Sequence, residues 1–191
     1  MTKFLLTAAM VMCVCCAMPA FSQTPRAEVF GGYSWARQGG VNISKGWNGS
    51  VTGNFNHWLS LEGDVSSHYH ALDTPGVVVQ GNVHFLSYRF GPKFSFRSED
   101  SPVTPFAHFL VGGVRTTLTG SGSVLGTNFN VSQSSNDLAS LIGGGIDIGK
   151  GSVAIRAIQA DYSAFQVIDP FGVSMRANGV RLSTGIVFRF R

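Results

Sequence analysis

Between residues 27 and 190, apolar and polar positions alternate in one segment after another, the period-two signature of strands with two unlike faces. Trp47, Gly49, Val51, Gly53 and Phe55 fall on one parity and Asn48, Ser50, Thr52 and Asn54 on the other. After Asn56-His57-Trp58, a tight hairpin connection, the pattern resumes with Leu59, Leu61, Gly63 and Val65 against Ser60, Glu62, Asp64 and Ser66. A looser strand precedes both, with Ala27, Val29, Gly31, Tyr33 and Trp35 opposed to Glu28, Phe30, Gly32 and Ser34. The chain closes on another clear one: Val180, Leu182, Thr184, Ile186, Phe188 and Phe190 alternate with Arg181, Ser183, Gly185, Val187 and Arg189.

The strands between are less regular. Leu86, Tyr88, Phe90, Phe94 and Phe96 oppose Ser87, Arg89, Lys93 and Ser95. Just before them, residues 77–85 carry apolar side chains on the other parity, which reads as a bulge or the edge of a loop. Residues 105–116 form a fifth strand whose facing stays open, because His108 and Arg115 differ in parity. In the sixth, residues 138–148, Ile142, Ile146 and Ile148 share one face and Asp147 the other. The seventh, residues 153–162, is open again, since Arg156 opposes Gln159 and Asp161 in parity.

Eight strands with alternating short and long joins describe an all-β, antiparallel up-and-down transmembrane β-barrel. Joins after the second, fourth and sixth strands are short, at about three, eight and four residues; the others run from about eleven to twenty-two. This arrangement places the termini and short turns in the periplasm and long loops outside the cell. Aromatic residues fit two interfacial girdles, with Trp35 and Trp47 near the outer rim and Phe55, Phe94, Phe96, Phe106, Phe188 and Phe190 near the inner one.

The opening residues are of another kind. Lys3 precedes an uncharged apolar run over residues 4–18, and Ala20-Phe21-Ser22 supplies small residues where a signal peptidase reads. Residues 1–22 are therefore read as a signal peptide, leaving 23–191 as a single barrel domain. Cys13, Cys15 and Cys16 all lie in the leader, so the mature chain has no disulfide, thiolate metal site or cysteine nucleophile. Of the 14 Lys and Arg only Lys3 leaves with it, so 13 basic residues face 10 acidic ones; so mild an excess does not suggest nucleic acid. Charged residues make up only 13% of the sequence, too few for a soluble secreted surface, whereas a barrel in lipid needs an apolar outside.

The final run, Asn178-Gly179-Val180-Arg181-Leu182-Ser183-Thr184-Gly185-Ile186-Val187-Phe188-Arg189-Phe190, resembles the terminal strand of the OmpA transmembrane domain and related eight-stranded, porin-family barrels. Arg191 after the last Phe departs from family members that end on an aromatic residue. The resemblance implies an outer-membrane location in a Gram-negative cell envelope. It also implies Gly185, Phe188 and Phe190 as the signal for the barrel-assembly machinery. The partners it implies are outer-membrane lipids and lipopolysaccharide, periplasmic chaperones, and an extracellular ligand held by the long loops of a monomer.

Candidate chemistry is concentrated on the polar faces. Glu28, Glu62, Asp64 and Asp147 are the acids and Arg89, Lys93, Arg156, Arg181 and Arg189 the bases of an expected lumen charge network. Glu62 and Asp64 are expected to pair with Arg89 and Lys93 on the neighbouring strand. Charges in so narrow a barrel persist only when paired or hydrated, so the network reads as filler, with a narrow ion or small-solute channel as the alternative. His68, His70 and His84 raise the question of a metal, but no carboxylate or cysteine stands at a telling spacing. Lipid-A deacylases carry His-x-Ser on an outward strand, and no His-x-Ser occurs here, so the chain is read as a non-enzyme without cofactor. Residues 116–136, uncharged and rich in Ser, Thr, Gly and Asn, read as a flexible outer loop.

Overall fold

The computed structural model describes residues 24–38, 41–73, 79–98, 100–124, 127–168 and 174–191. Residues 1–22, read above as a signal peptide, and with them the three cysteines lie outside the described residues. The remainder folds into β1 (Ala27–Gln38), β2 (Val41–Ile43), β3 (Lys45–Asn54), β4 (Leu59–Asp73), β5 (Val79–Ser95), β6 (Val103–Val124), β7 (Thr127–Ile148), β8 (Val153–Ile168) and β9 (Ser174–Phe190). Each long strand pairs antiparallel with the next, and β1 pairs with β9 from Ala27↔Phe190 to Gln38↔Gly179, closing an eight-stranded barrel. The short β2 folds back onto the end of β1 as a ninth, accessory strand.

Alternation becomes inside and outside. Val51, Leu61, Phe90, Ile142, Ile155 and Ile186 are exposed on the outer wall, while Thr52, Glu62, Arg89, Leu141, Arg156 and Val187 are buried within. With the backbone hydrogen bonds of the eight wall strands closed around the ring, such a wall is suited to lipid, where unpaired peptide groups are costly. At the short-turn end Asn56 makes its turn by side-chain capping: its Oδ1 accepts from the N–H groups of Trp58 and Leu59. At the β1–β9 seam Gly32 faces Gly185, and a Cβ on either would fall 2.1 or 2.3 Å from a backbone oxygen of the opposite strand. Only glycine allows that approach.

Four sequence expectations change. No bulge interrupts the start of β5, which pairs with β4 in one register from Leu59↔Phe94 to Asp73↔Gln80. The parity of the apolar residues changes because the lumen itself turns apolar, with Phe85 packing on Val114 and Ala139. Residues 116–136 are not a long loop. Except for 125–126 they continue β6 and β7, each 22 residues long, as a projecting hairpin, where cross-strand pairs such as Thr116↔Ser135 and Thr117↔Ser134 suit a sheet. Long loops give way in the same manner to strand on β4, β5 and β8. Finally, Phe106 is inside the lumen at 4% exposure and takes no part in a girdle.

The two open facings are resolved by geometry. On β6, His108 points in and Arg115 out. On β8 a register shift between Arg156 and Gln159 lets Arg156, Gln159 and Asp161 all face inward despite their parities.

Candidate functional site: the charged lumen

All eight wall strands contribute to one polar network. It starts near the short-turn end with Glu28 on β1, whose carboxylate meets Lys93 of β5 at 3.5 Å, Arg97 at 3.1 Å and Arg189 of β9 at 3.4 Å. Lys93 also lies 3.7 Å from Glu62 on β4. The ring of His108 lies between Glu62 Oε2 at 3.4 Å and Asp161 Oδ1 at 2.8 Å, linking β4 to β8. Arg181 of β9 then donates to Asp161 at 2.9 Å and, through both terminal nitrogens, to Asp64 at 2.8 and 3.0 Å. Asn48 of β3 completes the chain by donating from Nδ2 to Asp64 at 2.6 Å.

A branch fills the remaining space. Arg156 donates to both oxygens of Asp147 and to Gln159, which donates on to Asp161. Its guanidinium sits between the rings of Phe30 and Phe106, 4.2 and 4.4 Å from their centroids, and Lys93 lies over Phe106 as well. Aromatic faces thus hold cations in a core too narrow for a hydration shell. Arg156 and Glu62 are both 0% exposed.

All nine expected lumen residues point inward, but their partners differ in one respect. Asp64 is held by Arg181 from another wall of the barrel, and Arg89, its neighbour on β5, makes no ion pair among the described residues. Arg181 reaches Asp64 with its planar fork in two parallel bonds. Sequence reading missed Asp161, His108, Gln159 and Arg97. The first three sit on strands of undecided facing, and Arg97 lies just past the end of β5. The histidines do not converge: His68 is buried and bonded to Ser34, while His84 stacks on exposed Tyr69 and bonds to Ser67. Among the described residues no group of three metal-ligating side chains forms.

No protein-family model matches the chain, and no curated protein matches it in sequence. The architecture does have solved counterparts. Ail, the attachment invasion locus protein of Yersinia pestis, superposes with a TM-score of 0.59 at 17% identity, covering 87% of this chain and 100% of its own. This is the fold of an eight-stranded outer-membrane β-barrel. OprG from Pseudomonas aeruginosa (TM-score 0.49, 12% identity, 88% and 97% covered) and Neisserial surface protein A (0.46, 16%, 86% and 96%) are looser matches. At such identities the likeness is one of fold. What the barrel does has to come from its own residues.

Proposed function

We propose that this protein is a sealed, non-enzymatic outer-membrane barrel whose task is to hold a β-sheet recognition arm outside the cell. The observation that carries the reading is an open edge. β7 pairs with β6 along its whole length but with β8 only from Ala139 to Ile148, so among the described residues no strand pairs with the other edge of residues 127–138. A free edge offers a row of unpaired peptide groups, to which an extended segment of a partner can add as a further strand. The lumen supports the sealed half of the reading, since its charges, Arg89 apart, are bonded to one another and most are exposed by only a few per cent. Arg37, Lys45 and Arg115 are exposed near the extended end of the barrel, where lipopolysaccharide phosphates would meet them.

Replacing residues 121–130 by a two-residue turn removes much of the arm and leaves the pairs of the lower barrel intact. Cells bearing this variant are expected to lose binding to immobilised extracellular proteins while keeping normal surface levels. Unchanged binding, or large steady conductance of the intact protein in planar bilayers, would overturn the reading in favour of a channel. Gly185, Phe188 and Phe190 are proposed as the insertion signal. Phe188→Ser with Phe190→Ser is expected to leave the chain with chaperones or proteases, measured as lost outer-membrane abundance; normal abundance would reject it.

A further inference from the structure

The short-turn mouth of the barrel contains an open cleft of about 450 Å³. Arg97, Lys150, Arg189 and Arg191 line it, with His57 beside them, and among the described residues no Asp or Glu lines it. Glu28 does not balance this charge. Its single carboxylate is already shared by Lys93, Arg97 and Arg189. Two of these guanidinium groups also have donors to spare. Arg97 spends its terminal nitrogens on the His57 carbonyl, Asn54 and Glu28, and Arg189 spends Nη1 on the Gly149 carbonyl. Arg97 Nε and Arg189 Nη2 remain buried without a hydrogen-bond partner, and Arg189 Nε has only its 3.4 Å ion-pair contact with Glu28. Buried cationic donors without acceptors are unfavourable unless something supplies the oxygens.

We infer that this cleft is a binding site for a phosphate group. Several cations with little compensation suit a multiply charged oxyanion better than a lone carboxylate, and guanidinium forks match its tetrahedral oxygens. Arg97 and Arg189 form the buried floor. Lys150 and Arg191, both exposed, form the rim that first meets the anion. The phosphate can arrive free or as the headgroup of a lipid, and the two sources separate by experiment.

The full barrel is refolded in zwitterionic micelles and titrated with inorganic phosphate, followed by ³¹P NMR, with chloride holding ionic strength constant. Saturable binding is expected. Lys150→Gln with Arg191→Gln should weaken it at least about tenfold, the scale of one lost charge-assisted contact. Arg97→Gln should weaken it as well, with folding checked by heat-modifiable migration on gels. A parallel arm places the protein in nanodiscs with and without anionic phospholipid. Protection of the mouth by anionic lipid alone, with no response to free phosphate, assigns the site to a headgroup. Equal responses to phosphate and chloride, or wild-type binding by the rim variant, overturn the inference.

Discussion

Arg181→Ala is expected to destabilise the barrel by about 3–5 kcal/mol, because it leaves two buried carboxylates facing each other with no cation between them. Asp64 and Asp161 are 1% and 2% exposed, so water does little to replace the guanidinium. Removing the charges together should restore much of the loss: Arg181→Met with Asp64→Asn and Asp161→Asn keeps the volume and removes the repulsion. Urea unfolding from lipid vesicles measures all three states. Arg89→Met is the control, since Arg89 is equally buried and bonds to nothing described, and it should cost little or even stabilise. A loss below about 1 kcal/mol for Arg181→Ala, the size of an exposed pair, would mean that the lumen is wet.

On the outer wall the expected effect is the next largest. Val51 is 60% exposed in the lower wall, between Val29 and Gly63 on its neighbours. In lipid, Val51→Arg should cost about 1–3 kcal/mol, between the interfacial and midplane penalties for an arginine on the lipid face. Val51→Leu should be close to neutral. Leu118 is also exposed, but it lies on the projecting hairpin, beyond the reach of the hydrocarbon. Leu118→Arg should therefore cost less than about 0.5 kcal/mol, as an ordinary surface change does. Similar losses at both sites would show that the wall around Val51 is not immersed in lipid.

The regular strands were legible because each has one register and one kind of neighbour on each face. Val51 and Thr52, or Leu182 and Arg181, declare their sides by chemistry alone. Where legibility failed, a second variable had entered. On β8 one inserted residue between Arg156 and Gln159 reversed the parity, so the inward Asp161 was invisible as part of the network. On β5 the register was constant but the lumen changed from ionic to apolar, and the same letters, Val83 and Phe85, suggested a fault in pairing. The partner of Asp64 was illegible for a third reason. Alternation says which residues share an interior but not which of them reach across it, and Arg181 lies 117 residues from Asp64. The outer hairpin was mistaken for a loop because polarity on both faces erases the alternation that marks a strand in lipid.

The pairing of β1 with β9 ties closure of the ring to the ion pairs of the lumen. Arg181 and Arg189 are both on the last strand, and the carboxylates they meet, on Glu28, Asp64 and Asp161, belong to strands made earlier. Without β9 at the seam the sheet has two open edges, and Asp64 and Asp161 lack the guanidinium of Arg181. Docking of β9 removes both edges and supplies both guanidiniums in one event, so ion pairing inside and closure outside arrive together. A barrel whose seam opens at β9 therefore loses its edge pairing and the cations that hold its inner acids at the same moment.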